Sequence, residues 1–294
     1  MKAAPFRLLV PESLDEAVEA LHEHGDDAKL LAGGQSLVPV MNFRLAQPEV
    51  LIDLGRVDAL RGIGLGDDGT LRIGSMTRQR TLERHDGVGS RWPLMADALP
   101  MIGHVGIRNR GTVGGSLAHA DPAAELPSVC VAVDARMVVQ GPRGSRVVAA
   151  GDFFRMVFTT ALEVDEVLSE ILVPATGSRT GSAWLEFARR HGDFALIGVA
   201  AVVRLGEDGR CIEARLVLAG AEYTPVPVDV SEHVRGKAAT PGLWDTASLH
   251  AAESCDPRSD AHASATYRRR LVRVLGRRAL ALAARRAAGG GRHG

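Results

Sequence analysis

The sequence predicts an α+β fold, and three observations carry that expectation. Strand-like and helix-like stretches succeed one another irregularly, without the regular alternation that builds a doubly wound sheet. Hydrophobic residues make up 46% of the 294 positions, enough to pack a sizeable core rather than leave a disordered chain. Two long apolar strand patterns, Ala195–Leu205 and Cys211–Ala219, are joined by the turn sequence Gly206-Glu207-Asp208-Gly209.

Taken in order, Phe6–Val10 reads as a short strand. Ser13, three residues before Glu16, forms a capping box that opens a helix through Leu14, Ala17, Val18 and Leu21, and Gly25 stops it. Lys29–Ala32 has strand character and runs straight into Gly33-Gly34-Gln35-Ser36, followed by a helical turn over Leu37–Phe43 and a strand at Val50–Leu54. Leu71–Ile73 is a further strand, and Thr77–Arg84 and Pro93–Leu99 read as helices. Gly111–Gly115 is expected as a second glycine-rich loop. Ala135–Val148 predicts a hairpin turning at Gly141-Pro142-Arg143-Gly144, and Val167–Val173 a strand ending at Pro174. The polar stretch Ala175–Ser182 marks the expected boundary between a domain over 1–176 and another over 182–288. A long helix from about Ala261 to Ala288 closes the chain, with Gly289-Gly290-Gly291 expected as a frayed tail.

Composition excludes more than it selects. Lys plus Arg and Asp plus Glu both number 35, so the chain as a whole exerts no pull on nucleic acid. No stretch approaches the roughly 20 apolar residues of a membrane span, and the amino terminus lacks the apolar run of a secretory signal, so a cytoplasmic location is expected. Cys130, Cys211 and Cys255 are scattered, which argues against a disulfide framework, a zinc site or a locally built iron–sulfur cluster.

The candidate chemistry lies in two glycine turns, Ala32-Gly33-Gly34-Gln35-Ser36 and Gly111-Thr112-Val113-Gly114-Gly115-Ser116. Residues without Cβ let main-chain N–H groups approach a ligand, and successive N–H groups make a nest for an anion such as a diphosphate. Ser36 and Thr112 can add hydroxyl donors. Neither turn is the GxGxxG or GxxxxGK[ST] pattern, and taken singly each reads more readily as an ordinary tight turn.

The longer context resembles a known family. The run Gly103-His104-Val105-Gly106-Ile107-Arg108-Asn109-Arg110-Gly111-Thr112-Val113-Gly114-Gly115-Ser116-Leu117-Ala118-His119-Ala120-Asp121-Pro122-Ala123-Ala124-Glu125-Leu126-Pro127 resembles the medium, FAD-binding subunit of the xanthine dehydrogenase and carbon monoxide dehydrogenase (molybdenum hydroxylase) family. Lys29–Leu37 is similar to that family's first flavin loop, Arg189-Arg190-His191-Gly192-Asp193-Phe194-Ala195 to a third landmark, and Tyr267–Leu271 with Arg278-Ala279-Leu280 to its carboxy-terminal helix.

The resemblance implies a p-cresol-methylhydroxylase-type FAD domain of two α+β lobes followed by a smaller α+β domain. It implies that Ala32, Gly33, Gly34, Gln35, Ser36 and Leu37 wrap the FAD diphosphate from one side, and Gly111, Thr112, Val113, Gly114, Gly115 and Ser116 from the other. Ile102, Asp121, Leu168, Asp193 and Phe194 are implied as further cofactor neighbours, Phe194 as a shield for one flavin face. Glu125 stands where relatives often bind the adenosine ribose, the alternative being an ordinary surface carboxylate. Trp184–Phe187 replace the stretch in which some relatives place a lysine against the flavin, and the four-cysteine insertion of others is missing. His104 and His119 read as packed loop histidines rather than attachment points, so noncovalent FAD is expected.

The family's division of labour implies two partners, a large subunit holding the molybdenum cofactor and a small one with two [2Fe-2S] clusters, in a dimer of heterotrimers. This chain would pass electrons from the clusters to NAD, a quinone or oxygen, with no catalytic residue or metal ligand of its own. A stand-alone flavin oxidoreductase of the same fold is the alternative. A third reading, a nucleic-acid or membrane-surface module, rests on the arginine-dense helix Tyr267–Arg286, which the resemblance makes a docked helix with solvated arginines.

Overall fold

A computed structural model describes residues 2–289, so the glycine tail beyond Gly289 lies outside the described residues. The chain folds into two compact units that exchange segments. One holds the residues up to Leu82, Val105–His119 and Ala135–Pro174; the other holds Glu83–His104, Ala120–Asp134 and the residues from Ala175 onward. Sheets and helices mix in both, so the fold is α+β as expected.

In the first unit, β1 (Arg7–Leu9), β2 (Ala28–Leu31) and β3 (Val50–Asp53) form a parallel sheet in the order β1-β3-β2. The helix Leu14–His24 covers it, burying Ala17, Val18 and Leu21 against Val50, Ile52 and Leu54. Ser13 caps this helix by accepting from Glu16 N at 3.2 Å, while the Glu16 carboxylate reaches back to Glu12 N at 2.9 Å, one residue beyond the position a capping box implies. Gly25, at φ +47°, ends it.

A second sheet joins β4 (Ile63–Leu65), β5 (Leu71–Gly74), β6 (Arg136–Gly141), β7 (Gly144–Ala149) and β10 (Val167–Val173), all antiparallel, in the order β4-β5-β10-β6-β7. Strands β8 (Phe154–Met156) and β9 (Thr159–Thr160) make a small separate pair. The expected hairpin is present, with Gly141 opposite Gly144 across Pro142-Arg143.

In the second unit β11 (Thr180–Phe187), β12 (Ile197–Leu205), β13 (Cys211–Ala219) and β14 (Val226–Asp229) form an antiparallel sheet in sequence order. Ile197, Val199, Ala201 and Val203 pack into a core with Leu271, Val272, Leu275 and Ala279 of the helix Ala265–Ala287. The helix Glu125–Ala132 packs against β12 and β13 as well. Because β12 is buried along nearly its whole length, it reads as one apolar run rather than as an alternating one.

Several elements differ from expectation. The helix Glu125–Ala132 was not expected, since all eight of its residues are buried and a helix buried all round has no amphipathic period to detect. Strand β11 begins at Thr180, inside the segment expected as linker. The expected helix at Thr77 starts only at Gln79, because Arg78 is bridged to Thr112 and Gln79 N donates to Gly111 O at 2.9 Å.

All three cysteines are buried, and burial pushes the Cys130 thiol up to about 12 and raises those of Cys211 and Cys255. Since the thiolate is the reactive form, none should be alkylated by iodoacetamide in the native protein at pH 8, and all three should label in denaturant. Native labelling of Cys130, followed by mass spectrometry, would contradict this burial.

Candidate flavin site

The first glycine turn follows β2 at its carboxyl end, where parallel strands present main-chain groups to ligands. Gly34 adopts φ +71°, a conformation open to glycine and strained for other residues, and this turns the chain into the helix Leu37–Asn42. Gln35 Nε2 donates to Gly33 O at 3.1 Å, closing the turn from within. Among the described residues, no hydrogen bond takes the main-chain N–H of Gly33, Gly34, Gln35 or Ser36. Four consecutive open donors are what an anion nest requires.

The second turn is built differently, and here the expectation of matched nests is corrected. It is not a loop throughout: Val113–His119 is a helix, with Gly114 and Gly115 in its first turn. Gly111 N donates to Ile107 O, Val113 N to Thr77 O, Gly114 N to Ser75 O and Ser116 N to Thr112 O. Gly115 N donates to Thr112 Oγ1 at 3.0 Å. Among the described residues, the main-chain donors of this turn are therefore used by the scaffold, apart from Thr112 N. Glycine is needed at Gly114 for packing, since an added Cβ would collide with the Cβ of Ser75.

The two turns meet within the first unit. An ideal Cβ on Gly33 would fall 2.5 Å from Arg110 O and 2.8 Å from the Gly111 Cα, so backbone lies on backbone. A Cβ on Gly115 would stand 3.2 Å from the Ala32 Cβ. Thus the two turns, apart by more than seventy positions in the chain, pack against each other at Ala32, Gly33, Gly111 and Gly115. The surroundings are cationic: Arg78 lies among Arg61 and Arg110, and burial together with those neighbours holds its guanidinium below the usual arginine range. Sequence reasoning missed Arg78, because a lone arginine beside a strand carries no pattern.

Leu168 also belongs to the first unit, as a buried strand residue next to a bulge in β10. Ile102, Asp121, Glu125, Asp193 and Phe194 belong to the second. Glu125 is only 4% exposed, which overturns the surface-carboxylate alternative. Asp121 shapes its own turn by accepting from Ala123 N at 2.8 Å, Asp193 is exposed, and Phe194 presents 60% of its surface. Within the lysine-replacing stretch, Glu186 has its carboxyl raised by burial, opposed by Trp184 Nε1, which donates to it at 2.9 Å. His119 ends the helix Val113–His119 and stacks on Phe158 with ring centroids 4.9 Å apart, so it is packed but not in a loop, whereas His104 is an exposed loop residue beside Gly192. No group of three or more His, Cys, Asp or Glu placed to hold a metal occurs among the described residues.

The arginine-dense helix corrects another expectation. Arg268, Arg269, Arg273 and Arg286 are not simply solvated but pair with Asp260, Asp256, Asp245 and Asp97.

Comparison with known proteins agrees with this geometry. The family described as FAD binding domain in molybdopterin dehydrogenase matches residues 4–176, and the CO dehydrogenase flavoprotein C-terminal domain matches 182–283. The 6-hydroxypseudooxynicotine dehydrogenase complex subunit alpha of Paenarthrobacter nicotinovorans is 39% identical over 98% of this chain and 97% of its own. Among solved structures, carbon monoxide dehydrogenase from Hydrogenophaga pseudoflava superposes with a TM-score of 0.91 at 39% identity, covering 96% of this chain and 98% of that one. Quinoline 2-oxidoreductase from Pseudomonas putida 86 gives 0.92 at 35% identity, covering 98% and 99%. Two glycine turns meeting backbone to backbone, and matches that run almost end to end, place this chain in the family of FAD-binding medium subunits of molybdenum hydroxylases, a family of oxidoreductase flavoproteins.

Proposed function

We propose that the chain is the electron-transfer subunit of its complex, taking electrons from the [2Fe-2S] clusters of a small partner subunit and handing them to NAD, a quinone or oxygen. A large subunit with the molybdenum cofactor would carry out the hydroxylation, the whole forming a dimer of heterotrimers. The observation that carries this reading is the row of open amides at Gly33–Ser36, set against the Gly111–Gly115 backbone.

The residues fit a noncovalently bound FAD. The open N–H groups of Gly33, Gly34, Gln35 and Ser36 would hold the diphosphate, with the hydroxyls of Ser36, Thr112 and Ser116 as further donors. Ala32, Leu37, Gly111, Val113, Gly114 and Gly115 would shape this surface, and Ile102, Asp121, Glu125, Leu168, Asp193 and Phe194 would complete the site. FAD supplies the redox chemistry, and the protein's part is to orient the cofactor and set its electrostatic surroundings. We also read 1–176 as the FAD domain and 182–288 as the C-terminal domain. No helix among the described residues is long and apolar enough to cross a membrane, which accords with a cytoplasmic complex.

Gentle native purification tests the reading. The expected result is a yellow protein with stoichiometric, acid-extractable FAD that travels with two further subunits. A colourless chain, or full turnover of an organic substrate by the isolated chain, would overturn it.

A further inference from the structure

We infer that Arg78 is a positioning residue for the diphosphate end of the cofactor, holding the two glycine turns together and adding positive charge where they meet. The inference rests on the FAD reading above and names a residue outside both glycine turns.

Three observations converge on this side chain. Its backbone is bridged to Thr112, with Gln79 N donating to Gly111 O and Val113 N to Thr77 O on either side, so Arg78 is fixed alongside the second turn. Its Nη1 donates to Arg110 O, the same carbonyl against which Gly33 of the first turn is packed. One guanidinium therefore ties down the carbonyl that forms the contact between the turns. Finally, among the described residues no carboxylate forms an ion pair with Arg78, and the guanidiniums of Arg61 and Arg110 act on it as like charges. Asp53 is near enough to favour the charged form, but its Oδ1 already accepts from Gly55 N.

The Arg78 guanidinium, set through Arg110 O against Gly33, is held there against repulsion from Arg61 and Arg110, which costs free energy. An anion bound to the amides relieves that repulsion, and a planar guanidinium with donors left over suits phosphate oxygens. A merely structural arginine would need only the Arg110 carbonyl and would gain nothing from ligand charge.

The experiment strips the full chain of flavin and titrates it with FAD and with riboflavin, which lacks the diphosphate, over a range of salt. Wild type is compared with Arg78→Met and Arg78→Lys, and inorganic pyrophosphate serves as competitor. Arg78→Met should weaken FAD binding roughly tenfold or more, the scale of one charge-assisted contact. It should also flatten the salt dependence, blunt pyrophosphate competition and leave riboflavin affinity unchanged. Arg78→Lys should keep the salt dependence while losing part of the affinity, and it decides the matter if the methionine variant melts early. Unchanged FAD affinity and salt slope in both variants, or equal loss for FAD and riboflavin, would overturn the assignment. Failure of wild type to bind FAD would instead remove the reading on which it rests.

Discussion

Gly114→Val should lose its FAD and also melt earlier than wild type, by roughly 6–12 °C for a cost of about 3 kcal/mol. From sequence alone, a branched side chain at this position, or at Gly33, would be expected to act on the ligand, by keeping backbone amides away from the diphosphate. The structure locates the damage elsewhere. Gly114 N donates to Ser75 O at 2.8 Å, and a Cβ on Gly114 would be driven into the Ser75 side chain and lie 2.8 Å from its Cα. Both contacts are with fixed scaffold, so no rotamer change relieves them. The helix Val113–His119, which packs on β5, β9 and β10, would be lifted from its seat. Gly33→Val should behave alike, through Arg110 O. Melting curves and flavin content together decide: a variant that melts normally but is flavin-free would mean the glycine faces ligand, and one that keeps stoichiometric FAD would remove the turn assignment altogether.

How much of this was legible beforehand depends on the range of the interactions. Local signals served well: the Ser13 cap, the Gly141–Gly144 turn and the full extents of β10 and β13 follow from short-range chemistry. The edge strands β4 and β14 were missed, the latter carrying Pro227, which weakens any strand signal. Glu125–Ala132 was missed because complete burial erases periodicity. At the site, the pairing of the two glycine turns came from family resemblance and not from spacing, since either turn alone is ambiguous. What neither could supply was the asymmetry between them. The amides of Gly33–Ser36 are open while those of Gly111 and Val113–Ser116 are engaged, and that outcome depends on acceptors at Ile107 and Thr112 and on Ser75 and Thr77, the last two outside any motif.

Arg268→Ala should be among the most destabilising single changes in the second unit, costing about 3–5 kcal/mol. The sequence offers Arg268 as one of several arginines on a charged helix face, yet its side chain is only 8% exposed. Its Nη1 donates to Leu196 O and Gly220 O, and its Nη2 to Asp260 Oδ2 at 2.6 Å. It thereby joins the first turn of the long helix to the chain just before β12 and just after β13. Alanine would leave two carbonyls without their donor and open a void beside them, whereas Arg268→Lys could reach one partner but not all three. The effect should depend little on pH. Backbone donors from Ala263 and His262, with Arg268 behind them, hold the Asp260 carboxyl below its ordinary 3.8. A depressed carboxylate contributes stability above its unfolded pKa and loses it as pH falls through the folded value. The gap between wild type and variant should therefore narrow only below about pH 4, and only by the small share due to this half-exposed acid, because the carbonyl contacts do not titrate. Urea midpoints at pH 7 and pH 3.5 would measure both: a gap under 1 kcal/mol at neutral pH, or one that vanishes in acid, would mean that the arginine acts as a surface ion pair and not as the tie between helix and sheet.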